Sequence, residues 1–185
     1  MRIISGSHKG RRLTAPKNLP VRPTTDFAKE ALFNILRTRL YFDEISVLDL
    51  FAGTGNISFE FASRGVPKIT SVDSNYGCIQ NINKIAEEFS FPITPIKSDA
   101  DNYLNRVSGK FDIIFADPPY DFDIPQFENI VTLVFEKNLL EEDGTLILEH
   151  SKENELSSLP NFSEARKYGG SAFSFFVEEN HTQKH

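Results

Sequence analysis

The sequence predicts an α/β fold: a parallel sheet with helices on both faces, finished by a C-terminal antiparallel hairpin and preceded by a small N-terminal β-hairpin extension. Three observations predict it. From Val47 onward, short apolar runs alternate with stretches of helical periodicity. Several of those runs end at an Asp or a glycine turn, and the carboxyl ends of strands are where open α/β sheets bind ligands. Near the end, Gly169-Gly170 separates two further strand-like segments, the mark of a hairpin.

Taken in order, Ile3-Ile4-Ser5-Gly6 and Arg11-Arg12-Leu13-Thr14-Ala15 read as two short strands joined by Ser7-His8-Lys9-Gly10. A hairpin this small is not stable alone and must pack on something. Pro16, Pro20 and Pro23 keep the next stretch extended until Thr24-Thr25-Asp26, any of which can cap a helix over 27–39. Its apolar face is Ala28, Ala31, Leu32, Ile35 and Leu36. A buried strand over 47–51 leads through Ala52-Gly53-Thr54-Gly55 into a helix over 56–64, stopped at Gly65. The next strand, 68–72, ends at Asp73, and the helix over 75–89 carries Cys78, Ile79, Ile82, Ile85, Ala86 and Phe89 along one side. A strand over 94–97 precedes Asp99 and a short helix, and one over 111–116 runs into Asp117. A helix over 125–137, a strand over 145–149 after Glu142-Asp143-Gly144, and hairpin strands over 165–168 and 172–177 complete the pattern. Residues 181–185 are expected to fray.

At 185 residues the chain is one domain with at most a small appendage. The N-terminus turns polar at once and no apolar run approaches the ~20 residues of a membrane span, so a cytoplasmic, membrane-free protein is expected. The single Cys78 excludes an internal disulfide and a multi-cysteine metal site, and the four histidines show no ligand spacing, so no metal is expected. Net charge is -6, which alone argues against a polyanion partner, but its distribution reverses that impression. Residues 1–39 hold nine Lys and Arg against only Asp26 and Glu30, and the remainder is acidic. Residues 1–40 therefore read as a basic extension, a hairpin and linking helix suited to a polyanion, and 41–185 as an acidic body.

The first strand-to-helix turn has glycines at Gly53 and Gly55, with Ser58 where a nicotinamide fingerprint wants a third. Asp73, at the tip of the next strand, can accept hydrogen bonds from two ribose hydroxyls. Asp49 and the amides of the turn can engage the amino and carboxylate ends of a nucleoside-linked amino acid. The absent third glycine favours S-adenosylmethionine over a dinucleotide. Asp99 is either an acceptor for an adenine amino group or a helix N-cap, and Phe51 and Ile57 either line the cofactor pocket or pack in the core. Asp117-Pro118-Pro119-Tyr120 is the sharpest signal. Two prolines stiffen the backbone and remove two donors, leaving a turn that offers a carboxylate and carbonyl oxygens with an aromatic ring behind them. Such a turn accepts hydrogen bonds from a planar amino group and stacks its ring.

Five strand–helix units closed by a hairpin is the layout of class I S-adenosylmethionine-dependent methyltransferases, a Rossmann-like sheet. Asp-Leu-Phe-Ala-Gly-Thr-Gly at 49–55 together with Asp117-Pro118-Pro119-Tyr120 resembles the methyltransferases of adenine N6, guanine N2 and glutamine N5. Arg2-Ile3-Ile4-Ser5-Gly6, Gly10-Arg11-Arg12-Leu13, Arg22-Pro23-Thr24-Thr25-Asp26 and Lys29-Glu30-Ala31-Leu32-Phe33-Asn34-Ile35-Leu36 narrow the resemblance to the RsmD family, guanine-N2 methyltransferases of small-subunit ribosomal RNA. The resemblance implies that Asp117 and Pro118 hold the guanine amine, with Pro119 completing the turn and Tyr120 stacking on the base. It implies that Asp49, Phe51, Gly53, Gly55, Asp73 and Asp99 bind S-adenosylmethionine, and that Arg2, Lys9, Arg11, Arg12 and Arg22 meet RNA. The implied substrate is RNA within an assembling subunit, met by a monomer. Phe27 departs from the resemblance, since many of the family place a basic residue there. Rival readings are a DNA adenine-N6 or protein glutamine-N5 methyltransferase, or an RNA-binding assembly protein without chemistry.

Overall fold

The computed structural model describes residues 1–21 and 24–179. Its centre is a seven-stranded sheet in the order β3-β2-β1-β4-β5-β7-β6. The strands are β1 (Ser46–Leu50), β2 (Lys68–Asp73), β3 (Ile93–Lys97), β4 (Phe111–Ala116), β5 (Leu140–Ser151), β6 (Phe162–Tyr168) and β7 (Ser171–Phe176). The first five run parallel, and β7 enters antiparallel between β5 and β6. The chain order reverses between β1 and β4, so the crevice beyond their carboxyl ends is a topological switch point, where ligands of such sheets bind.

Helices cover both faces because the strands are apolar on both. On one side α1 (Asp26–Leu36), α2 (Asn56–Ser63) and α3 (Tyr76–Phe89) bury Leu32, Phe33, Phe59, Phe61 and Ile82 against Val47, Ile113 and Phe115. On the other, α4 (Ala100–Arg106) and α5 (Ile124–Glu136) bury Leu104, Phe127, Ile130 and Val134 against Leu48, Ile114 and Leu146. Cys78 is fully buried in α3. No helix among the described residues is long and apolar enough to cross a membrane.

The expected helices and the strands of the sheet are present, with displaced ends that have local causes, but the two strands expected over 3–6 and 11–15 are reduced to one isolated bridge. Helix α1 stops at Leu36, short of Arg39, where the Thr38 hydroxyl donates to the Ile35 carbonyl at 2.7 Å. Strand β1 stops at Leu50 because Phe51 adopts φ 55, a left-handed conformation that turns the chain. Strand β5 begins five residues early, at Leu140, paired with Phe111 through a register shift and passing through Asp143 at φ 62. A 3-10 turn over Phe42–Glu44 was not anticipated. The expected fraying of 181–185 lies outside the described residues.

The N-terminal hairpin is minimal. One antiparallel bridge joins Arg2 and Arg12, with Ile3 N–H donating to the Arg11 carbonyl at 2.9 Å and Gly10 N–H to the Ile3 carbonyl at 2.8 Å. Its support is α2. The amides of Ile4 and Ser5 donate to the Glu60 carboxylate at 2.8 and 3.1 Å, and Ser7 N–H donates to the Ser63 carbonyl at 2.7 Å. Gly6 is required at this junction, since a Cβ there would lie 1.9 Å from the Ser63 carbonyl oxygen. Ile3 and Leu13 enter the same apolar cluster as α1, α2 and α3, so the hairpin shares the core of the body.

Beneath it lies a buried ionic network. Lys29 and Glu60 have side chains wholly removed from solvent, 3.5 Å apart. Lys29 also donates to Asn56 Oδ1 at 2.8 Å and to the Arg2 carbonyl, while Arg64 Nε reaches Glu60 Oε2 at 2.8 Å. Burial holds the Lys29 ammonium below its ordinary pKa, opposed by the Glu60 charge beside it. The hairpin, α1 and α2 are thus tied at one point.

Candidate active site

Strand β1 delivers Asp49 and the glycine turn to the crevice; β2 delivers Asp73, and β4 delivers Asp117. Asp49 is 1% exposed and accepts from the Ser58 hydroxyl at 2.6 Å. That hydroxyl in turn lies 2.6 Å from Ser71 on β2. Burial pushes the Asp49 carboxyl up to about 7, with the Ser58 hydrogen bond opposing and the Asp73 charge adding to the rise. Ser58, noted in the sequence only as an absent glycine, is therefore the side chain that holds Asp49.

Asp73 is partly exposed at the rim. Its Oδ2 accepts from Gly53 N–H at 2.9 Å and its Oδ1 from Asn75 N–H at 2.8 Å. Each carboxylate oxygen has a second lone pair, so the group can still accept from vicinal hydroxyls. Beside it, Ser74, Lys97, Ser98, Asp99, Asn102 and Arg106 border an open cleft of about 660 Å³ past the ends of β2 and β3. Asp99 serves as the N-cap of α4, accepting from Asn102 N–H at 2.8 Å and Asn102 Nδ2 at 2.6 Å, and it also faces this cleft. Of the two readings of Asp99, the structure shows the cap.

The glycine turn works differently from the expectation that its amides receive a ligand. Ala52 N–H donates to the Val72 carbonyl, Gly53 N–H to Asp73, and Gly55 N–H to the Ala52 carbonyl, so these three donors are engaged within the fold. Gly55, at φ 88, is needed for packing, because a Cβ would lie 2.6 Å from the Phe59 ring and 2.9 Å from Ile82. Gly53, at φ 57, faces Val21 at ordinary contact distance, so the segment leading from the hairpin lies across the turn. The Phe51 ring meets Phe122 edge-on at 5.5 Å and packs against the core on the α4–α5 side. Ile57 is buried in the other cluster.

In the Asp117-Pro118-Pro119-Tyr120 turn Pro118 is buried, Asp117 is partly exposed, and Tyr120 is 75% exposed, presenting its ring outward. Register places Ala116 beside Leu148, so Asp117, just past the end of β4, is the next neighbour of Glu149 on β5. The buried Thr24 hydroxyl donates to Glu149 Oε2 at 2.7 Å and stands 3.5 Å from Asp117 Oδ2. The Thr24 carbonyl accepts from Asn56 Nδ2 at 3.1 Å, which links the same segment to the start of α2. Asn56 and Glu149 were not singled out from the sequence, and Thr24 was read as a possible helix cap rather than as a site residue. The signal for Thr24 was ambiguous, because three adjacent residues could cap α1, and it is Thr25 that does, accepting from Ala28 N–H at 3.2 Å. Freed from capping, Thr24 turns inward.

Of the basic residues expected to meet RNA, Lys9 and Arg12 are exposed on the hairpin. Arg2 is exposed and lies 3.9 Å from Asp26. The Arg11 guanidinium lies 5.0 Å from the centroid of the Phe89 ring, and His8 packs between Phe89 and Phe91, so the hairpin tip is seated on the end of α3. Arg22 lies outside the described residues.

A family model described as "Conserved hypothetical protein 95" matches residues 1–177. The chain is 39% identical over 161 residues to the "Putative rRNA methyltransferase YlbH" of Bacillus subtilis, covering 84% of this chain and 85% of that protein. It is 30% identical over 168 residues to "Ribosomal RNA small subunit methyltransferase D" of Haemophilus influenzae, covering 88% and 85%. Among solved structures, "Putative methyltransferase yhhF from Escherichia coli" superposes with a TM-score of 0.83 at 27% identity, over 95% of this chain and 96% of that one.

Proposed function

From the premise that the chain belongs to the RsmD family, described as "Conserved hypothetical protein 95", we propose that it methylates the exocyclic N2 amine of a guanine in small-subunit ribosomal RNA. The enzyme is an S-adenosylmethionine-dependent methyltransferase with a class I sheet. The observation that carries the specific reading is the Asp117-Pro118-Pro119-Tyr120 turn at the switch point, one strand from Asp49 and two from Asp73.

The donor site fits its cofactor in chemistry. Asp73 keeps lone pairs for the ribose hydroxyls, the polar cleft lined by Asp99 and Asn102 suits an adenine edge, and the Asp49 carboxyl lies beneath the turn where a cationic amino group would favour its ionised form. When bound, S-adenosylmethionine supplies a methyl group on a sulfonium, an electrophile that needs no further activation. The residues of this chain then have to position the nucleophile. A guanine amine is a poor one, because its lone pair is delocalised into the ring. Asp117 and the Pro118 carbonyl would hold its two hydrogens, which turns the nitrogen lone pair toward the methyl group and stabilises the charge that develops as the N–C bond forms and the sulfonium's bond to the methyl group breaks, leaving a neutral thioether; the methylated nitrogen then loses one proton, through Asp117, to solvent. Tyr120 stacks on the base, and Pro118 keeps the turn rigid. Thr24 and Glu149 support the Asp117 side of the site.

The target base has to be splayed from its strand to reach this turn. Lys9, Arg11, Arg12 and Arg22 of the extension meet the surrounding phosphates. So small an extension reads little sequence, so the substrate is RNA already shaped by an assembling small subunit in the cytoplasm, met by a monomer. Replacement of Asp117 by Ala tests the reading. Transfer should fall by at least about a hundredfold, the order seen when one preorganised polar contact to a transition state is removed, with S-adenosylmethionine binding retained. Loss of both together would make the turn a structural element only.

A further inference from the structure

Phe27 stands in the first turn of α1 with 65% of its surface exposed. Its ring meets Tyr168 edge-on, with centroids 6.2 Å apart and planes at 77°. Tyr168 closes β6 and leans on Phe173 at 6.1 Å, and Phe173 leans on the buried Phe115 at 6.5 Å. The exposed ring is therefore the outer end of a row of aromatics anchored in the core. A lone exposed phenylalanine means little, but one buttressed in this way is a preformed surface.

Its position relates it to the site. Thr24, three residues earlier, contacts Glu149 and stands beside Asp117. Phe173, behind Tyr168, is the cross-strand partner of Glu149, and Tyr168 pairs through Ser171 with Ser151, two residues beyond Glu149. The aromatic pair thus sits at the same edge of the sheet as the catalytic turn. Beside it Lys167 is exposed, Arg166 is exposed but ion-paired to Glu164 at 3.1 Å, and the exposed Lys152 is held at the β6–β7 turn by a hydrogen bond from its N–H to the Gly170 carbonyl at 3.1 Å. An aromatic face beside positive charge fits a nucleobase and its phosphate.

Building on the methyltransferase reading, we propose that Phe27, braced by Tyr168, stacks an RNA base adjoining the target guanine. Drawing a guanine out of its strand strips its neighbour of a stacking partner, and the Phe27 face replaces it. An arginine plane stacks bases too, so an arginine at this position would keep the function while changing its salt dependence.

The test compares wild type with Phe27→Ala, Phe27→Trp and Phe27→Arg on small ribosomal subunits lacking the modification and on a naked fragment of small-subunit RNA. Phe27→Ala should raise KM for the RNA roughly tenfold, with a much smaller change in kcat and an unchanged Kd for S-adenosylmethionine. Trp and Arg should restore most of the loss, Arg with a steeper salt dependence. An unaltered KM in Phe27→Ala, or a loss that neither Trp nor Arg repairs, overturns the proposal. A loss seen only with subunits and not with naked RNA would put a ribosomal protein on the ring and overturns it equally. If wild type transferred no methyl group to either substrate, the function reading would fall, and weaker equilibrium binding of Phe27→Ala to the naked RNA would still decide for the aromatic surface, equal binding against it.

Discussion

Replacing Glu60 by Ala removes the one anion to which Lys29, Arg64 and the amides of Ile4 and Ser5 all converge. Lys29 would remain wholly buried with Asn56 and the Arg2 carbonyl as its hydrogen-bond acceptors among the described residues, and two hairpin amides would lose their acceptor. Breaking a buried pair from one side costs about 3–5 kcal/mol, because the other charge is left uncompensated. For a chain of 185 residues that corresponds to a fall in Tm of roughly 6–20 °C. Lys29→Met should cost roughly half as much or less, because Glu60 keeps Arg64 and two amides. The deficit of Glu60→Ala should also shrink as pH rises above neutrality. Burial depresses the Lys29 pKa and Glu60 no longer opposes it, so the folded state binds fewer protons than the unfolded one and gains stability with pH. Thermal and urea unfolding at pH 7 and pH 9 measure this. Hydrogen exchange should show the hairpin amides losing protection first. A loss under about 1 kcal/mol, or equal effects of the two substitutions, would refute the assignment of Glu60 as the junction of hairpin and body.

Three further outcomes follow from the site. Asp49, raised to about 7 by burial, binds its proton more tightly folded than unfolded, so stability should fall as pH rises from about 4 to 7, by up to ~4 kcal/mol. Asp49→Asn should flatten that stretch of the pH–stability curve, and parallel curves for the two proteins would contradict it. Asp73→Asn should weaken S-adenosylmethionine binding roughly tenfold to a hundredfold in calorimetry, since charge-assisted bonds to the ribose hydroxyls become neutral ones. Gly55→Ala combines a left-handed backbone with a Cβ 2.6 Å from Phe59, and should lower Tm by several degrees in a thermal melt, an unchanged Tm counting against the packing role given to that glycine.

The parallel strands were legible because a strand buried on both faces is a plain apolar run, and β4 was predicted with its observed bounds. The carboxylates at strand ends were legible for the same reason, since each marks where such a run stops. What escaped is what depends on pairing across the chain. Lys29 and Glu60 are charges on helices, ordinarily solvent-facing, and only the docking of the hairpin on α2 takes both out of water. Thr24 meets Glu149 across 125 positions of sequence, a contact that no local pattern encodes. The roles of Gly53 and Gly55 were read from the ligand side, whereas the close approach at Gly55 comes from Phe59 and Ile82 in the protein itself. Asp99 shows the opposite case, because its cap and its place at the cleft are compatible.

The measurement that bears most directly on the function is incubation of the protein with labelled S-adenosylmethionine and small ribosomal subunits from cells lacking it, with the RNA then digested to nucleosides. Label in N2-methylguanosine, abolished by Asp117→Ala, is the predicted result. Label confined to adenine or to protein, or transfer that survives Asp117→Ala, would contradict the assignment of the catalytic turn to a guanine amine.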